Sequence, residues 1–180
     1  MLYRLAALAA LASLTVGCST YNANPYGVSV DNVETLKSYS LQPVAVGAFE
    51  AAKPGQSTIT CRAAGPVRVS PSFEGYIQKA LTDELKLAGL YAPSSPLVLT
   101  GRLEQVDFSS GMTDGNWNFV LTLRNARNES YITRSTFPFA GSFVADKACQ
   151  EVAQAFGQSV QQLIADLVRD PEFKRIAKAE

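Results

Sequence analysis

The sequence predicts an α+β domain. It is a two-layer sandwich in which an antiparallel sheet of about four strands carries two amphipathic helices on one face, in the order β-α-β-β-β-α. Three observations predict it. Apolar residues recur at helical spacing between Pro71 and Gly89, and again over the longer stretch from Asp146 to Val168. Between them lie three stretches rich in strand formers, from Leu97 to Phe137, separated by connections bearing Gly, Asp and Asn.

Taken in order, residues Ser19 to Lys37 are polar, carry Pro25 and Gly27, and sustain neither period, so they are expected to form a tether. A flexible chain of that length spans roughly 25 Å. Pro43 to Phe49 is an apolar run bounded by Lys53-Pro54-Gly55, which predicts a buried strand. Lys53 to Val69 is a long connection holding Cys61, with Ile59–Arg62 and Val67–Val69 as the halves of a small ribbon; its length points to a function or a covalent tie. Ser70 with Pro71 predicts a helix start and Gly89 a stop, with Phe73, Ile77, Leu81, Leu85 and Ala88 on the buried stripe.

The strand pattern then resumes. Leu97, Leu99 and Leu103 share one face, whereas Val106 and Phe108 fall on the opposite parity, so a bulge near Glu104 or Gln105 is required to keep all five inward. Trp117 to Leu123 alternates without a break, and Tyr131 to Phe137 closes an antiparallel meander that Pro138 should end. In the last helix Asp146 is the expected cap, and Val152, Phe156, Val160, Leu163, Ile164 and Leu167 form the stripe. Cys149 belongs to that buried face, and Asp170-Pro171 breaks the helix before a short, fraying terminal one.

Composition excludes several chemistries. The chain has no histidine, so His-containing catalytic triads and His-based metal sites are ruled out. Neither a Gly-x-Ser-x-Gly elbow nor a Gly-rich phosphate loop occurs. Without Arg4 the chain has 15 basic and 16 acidic side chains, a balance that offers no field for nucleic acid. No catalytic residue, cofactor or metal site is expected. The carboxylate pairs Asp83/Glu84 and Glu104/Asp107 read as solvated surface positions, and Asn128-Glu129-Ser130 as a turn.

The first residues are more specific. Arg4 precedes an uncharged apolar run from Leu5 to Val16, and Gly17-Cys18 follows. Such a run is too short for a helix to cross about 30 Å of hydrocarbon, so a cleaved signal peptide over residues 1–17 is the expectation. Leu14-Thr15-Val16-Gly17-Cys18 resembles the lipobox of bacterial lipoproteins, with Thr15 where Leu is usual. The resemblance implies that Cys18 is lipidated and becomes the first residue, anchoring the protein in the membrane. Ser19, where an Asp would resemble an inner-membrane retention signal, implies the outer membrane, facing the periplasm. The organisation is then signal peptide 1–17, anchored tether 18–37 and one domain 38–180.

With Cys18 committed to lipid, Cys61 and Cys149 are the only possible internal pair. In an oxidising compartment they are expected to form a structural disulfide closing a loop of roughly ninety residues, contributing on the order of 4 kcal/mol by chain entropy. Two unpaired thiols are the alternative. Binding surfaces are the remaining candidates. Met112, Asn116 and Trp117 in the hairpin Ser109–Trp117 are candidate partner contacts, against an ordinary hairpin with Trp117 in the core. Tyr131, Phe137, Phe139 and Phe143 are candidates to line a cavity for a lipid tail, against plain core packing. Tyr21 and Tyr26 are candidates for the membrane interface.

The pieces FEGYIQKALTDELKLAGL, PLVLTGRLEQVDF and VQQLIADLVRDPEFKRI, in this order, resemble the YajG-type outer-membrane lipoproteins. A weaker similarity runs to auxiliary lipoproteins of ABC-type lipid transporters. Cys61 and Cys149 depart from the YajG pattern. The resemblance implies a non-catalytic interaction or accessory module of the cell envelope, bound to the membrane by its lipid anchor and to an envelope protein or a lipid. The alternative it implies is a lipid-binding auxiliary subunit of a lipid or lipopolysaccharide transport system.

Overall fold

A computed structural model describes residues 19–178; the expected signal peptide, residues 1–17, and Cys18 lie outside them. The order is β1 (Tyr21–Asn22), α1 (Val30–Lys37), β2 (Ala45–Ala51), β3 (Thr58–Cys61), β4 (Gly65–Arg68), α2 (Phe73–Leu87), β5 (Val98–Ser110), β6 (Asp114–Asn125), β7 (Ser130–Ala140), α3 (Ala145–Arg169) and α4 (Pro171–Ile176). A four-stranded sheet runs β2-β5-β6-β7, and a small sheet runs β1-β4-β3.

The predicted α+β sandwich is present, with a correction to the direction of one strand. β5, β6 and β7 form the expected antiparallel meander, but β2 pairs with β5 in parallel, so the sheet is mixed. The reason is the connection: β2 reaches its neighbour through α2, and a helical crossover returns the chain to the end it left. Where β2 meets β5, Gly101 lies under the Phe49 ring, and a Cβ there would stand 2.5 Å from it.

The register shift between Leu103 and Gln105 is the expected bulge. It turns Val106 and Phe108 toward the core, and the Phe108 ring meets Trp117 edge-on at 4.9 Å between centroids. β7 continues through Pro138 to Ala140, contrary to expectation. It is an edge strand, where a residue without an N–H can be accommodated on the unpaired side. Alternate residues of β6, from Gly115 to Asn125, are buried, and α2 and α3 cover that side. Trp117 is the centre of the core: its indole N–H donates to the Val152 carbonyl at 2.9 Å, and Phe73, Phe108, Phe119 and Phe156 surround it.

Helix ends differ slightly from the sequence reading. Ser72, not Ser70, caps α2, its side chain accepting from Gly75 N, while Gly89 adopts φ +76° just past the end. α3 starts at Ala145 with Asp146 in its first turn rather than at the cap. Asp170 caps α4, which packs instead of fraying: Phe173 and Ile176 are fully buried.

The largest departure is the stretch expected as a tether. Tyr21 and Asn22 pair in parallel with Val67 and Arg68 of β4, and α1 packs on α2 and α3 with Leu36 fully buried. The Gln161 amide donates to the Gly27 carbonyl at 2.7 Å, and Tyr39 donates to the Val168 carbonyl at 3.0 Å. The folded body therefore includes residues read as linker. Their apolar side chains are too few and too scattered to show a period, because they cap a core built by other segments.

Gly101→Ala should cost about 1–3 kcal/mol, the usual range for overpacking, because the Phe49 ring is buried and has no room to retreat. Urea denaturation monitored by the fluorescence of Trp117 measures this; an unchanged midpoint would show that the β2–β5 contact is looser than its geometry.

Candidate functional site

Cys61, Cys149, Met112, Phe143 and Tyr21, all singled out from the sequence, converge on one pole of the domain. β3 and β4 form an antiparallel ribbon whose turn carries Arg62, and Cys61 immediately before it is bonded to Cys149 in the first turns of α3. Both cysteines are fully buried, with Cα atoms 5.8 Å apart. The disulfide thus ties the ribbon to the long helix.

Arg62 adopts φ +48°, an uncommon conformation for a residue with a side chain, and a set of hydrogen bonds holds it there. Its guanidinium donates to the Ser110 carbonyl at 2.7 Å, the Gly111 carbonyl at 2.8 Å and the Ser142 carbonyl at 3.0 Å, and Nε donates to Ser110 Oγ at 3.3 Å. One side chain thereby clamps the tip of the β5–β6 hairpin and the segment leading into α3. Those two segments also bond to each other, Gly141 N to the Thr113 carbonyl at 3.0 Å and Ser142 N to the Gly111 carbonyl at 3.3 Å.

Around this clamp three large apolar side chains are exposed, beside the exposed Thr113, Asp114, Asp146 and Lys147. Met112 is 63% exposed, Phe143 76% and Val144 61%. The chain's first described residue is here as well: the Ser19 carbonyl lies against Gly65, at the end of the ribbon turn, and Tyr21 donates its hydroxyl to Asp146 at the start of α3.

Of the candidate partner contacts, Met112 is thus accessible and Asn116 is half-buried, accepting from the Asn118 amide at 2.8 Å. Trp117 is not accessible; its indole fills the core, and its place among the contacts is withdrawn. Strand parity decides this, because residue 117 shares the inward face with Phe119, Leu121 and Leu123. The four aromatic residues proposed for a lipid cavity separate: Tyr131 is buried and donates to the Leu167 carbonyl at 2.7 Å, Phe137 lines a groove of about 260 Å³ with Asp31, Asn32 and Arg169, the Phe139 ring covers Gly115, and Phe143 faces solvent.

Sequence reasoning missed one buried acid. Glu84, expected at a solvated position, is fully buried between α1 and α2. Its Oε1 accepts from the Tyr26 hydroxyl, from Ser29 N at 3.3 Å and from the Asn32 amide at 3.3 Å, while Oε2 has no protein partner. Burial raises its pKa above the ordinary value of 4.5, against the lowering effect of those donors. The signal was its spacing: residue 84 follows Ile77 by seven and Leu81 by three, so it shares the apolar stripe. Tyr26, expected at a membrane interface, is instead spent on this contact; burial and then the Glu84 bond push its own pKa upward.

A second concavity, about 400 Å³, opens where the end of β2, the β5 bulge and the first turn of α2 meet; Lys53, Gln56, Glu74, Glu104 and Asp107 line it. Glu74 accepts from Gly55 N at 2.7 Å through one oxygen and leaves the other, buried, without a protein partner. Among the described residues no three His, Cys, Asp or Glu side chains group closely enough to hold a metal ion, and no helix is long and apolar enough to cross a membrane.

No protein-family model and no curated protein matches the chain. Among solved structures it is similar to protein XCC0632 from Xanthomonas campestris, of family DUF330, with TM-score 0.47 and 15% identity over 83% of this chain and 92% of that one.

Two measurements follow from this geometry. Replacing both Cys61 and Cys149 by Ala should lower unfolding stability by about 4 kcal/mol, as expected for a bond closing a loop with a sequence separation of 88 residues; guanidinium denaturation of both proteins checks it. The folded chain also binds a proton at Glu84 more tightly than the unfolded chain, so Glu84 makes stability fall as pH rises from 4.5 through the raised value. Glu84→Gln should flatten that fall in a series of denaturation midpoints across acidic and neutral pH, and an unaltered slope would refute the assignment.

Proposed function

We propose that the chain is a lipoprotein of the bacterial cell envelope, held by an acylated Cys18 in the outer membrane, facing the periplasm and acting as a non-catalytic interaction or accessory module. The observation that carries this reading is the division of the cysteines. The chain has three; Cys61 and Cys149 are consumed in a buried disulfide, which suits an oxidising compartment, and Cys18 alone is left, at the end of the apolar run. Lipobox-like residues around it and the YajG-type pattern of the helices and strands point the same way.

The anchoring chemistry is additive. Each buried methylene contributes about 0.8 kcal/mol, so several acyl chains on one cysteine hold where a single chain exchanges. An accessory rather than enzymatic role is supported by the lack of histidine and by the structural bonds that several buried polar side chains make: one oxygen of Glu84 secures α1, Tyr131 secures α3, and Trp117 secures the sheet to α3. Such a body presents fixed surfaces to another envelope component.

Metabolic labelling with an alkyne analogue of palmitate tests the anchor. The wild-type protein should take up label and fractionate with the outer membrane, whereas Cys18→Ala should remain unlabelled. A wild-type protein that carries no label, or whose mature first residue is not Cys18, would overturn the reading.

A further inference from the structure

We propose that the pole formed by Met112, Phe143 and Val144 is a membrane-contact surface, so that the domain rests on the bilayer with this end down and does not stand away from it on a spacer. The inference rests on the anchored reading of Cys18 and adds an orientation to it.

Two independent features locate the bilayer at this pole. The first is where Ser19, the first described residue, lies. Adjacent Cα atoms are about 3.8 Å apart, and Ser19, the residue after Cys18, already lies against Gly65; Tyr21 is then in register with Val67. A lipid on Cys18 therefore starts within one residue of the folded body, beside the ribbon turn.

The second is the distribution of exposed apolar side chains. Among the described residues six large ones are exposed, and Val30, Leu87 and Ile132 lie singly on separate elements. The other three, Met112, Phe143 and Val144, lie together on the two segments that Arg62 clamps. Grouped apolar exposure on an otherwise polar surface marks a site of contact, and its sharing a pole with the anchored end selects lipid as the partner.

The chemistry suits an interface. Apolar side chains there enter the boundary between headgroups and acyl chains, while cations stay at headgroup depth. Lys147, exposed in the first turn of α3, is placed for the latter, while the exposed carboxylates Asp114 and Asp146 stay at headgroup depth, Asp146 accepting from the Tyr21 hydroxyl. The Arg62 bonds and the disulfide hold the two apolar segments rigidly, so inserting them costs little ordering.

Intrinsic fluorescence tests the orientation, because the only tryptophan, Trp117, is buried. The lipidated full chain carrying Phe143→Trp is reconstituted in phosphatidylethanolamine/phosphatidylglycerol vesicles with or without brominated acyl chains. Ile132→Trp, exposed on β7 toward the far end of the sheet, serves as the comparison. Bromolipid should lower the added emission of Phe143→Trp by about twofold, as for a ring at the acyl boundary, and leave that of Ile132→Trp unchanged. Equal quenching at both positions, or at neither, in protein that still sediments with vesicles would overturn the orientation while leaving the anchor intact. Failure to sediment would overturn the anchor and this inference with it. In cells, a photoreactive residue in place of Met112 should form lipid adducts; one specific protein adduct in their place would reassign the pole to a protein partner.

Discussion

The bond between Cys61 and Cys149 is the constraint on which one end of this molecule depends. The ribbon of β3 and β4 is four residues a strand, too small to hold itself together in water, and its side chains alone offer little core. Bonding it to the first turns of α3 gives it a fixed place. Everything else at that end is then built on the ribbon: β1 adds to its β4 edge, Ser19 lies against its turn, and Arg62 reaches from that turn to the β5–β6 hairpin. A single covalent link thus places the first described residues, a hairpin tip and a helix start side by side.

The opposite problem is solved without a covalent bond. The segment from Tyr26 to Lys37 has few apolar residues, and it is held to the helices by polar contacts that end on a buried carboxylate, Glu84. Such a contact is directional where hydrophobic packing is not, so it fixes where α1 sits; its cost is the desolvation of the acid, partly offset by three donors. Leu36 adds the apolar part of the contact. The fold therefore brings the N-terminal segment in at both its ends, by a strand pairing at β1 and by this polar junction before and within α1.

Much of the architecture was readable from periodicity. The stripes of α2 and α3, the alternation of β6 and the bulge in β5 are local consequences of which face must be buried, and they appear where the pattern requires them. The site was readable only in part. Cys61, Cys149 and Met112 announced themselves as residue types, but Arg62 looks like any loop arginine, and nothing in Gly141-Ser142-Phe143-Val144 says that it will lie beside Gly111. Trp117 takes the core alternative that its strand parity offered, whereas Glu84, expected at a solvated position as one of a carboxylate pair, is carried inward by its helical spacing.

By itself the sequence determined the apolar run ending at Cys18, the absence of histidine, the element order of the core and the availability of one internal cysteine pair. These are properties of residue type and of spacing within one element, and physics reads them locally. The tertiary structure decided which way β2 runs, whether residues 19–37 belong to the folded body, and which exposed side chains share a pole. Those are relations between segments far apart in the chain, set by a helical crossover, a disulfide across 88 residues and hydrogen bonds from one arginine, and no local pattern encodes them.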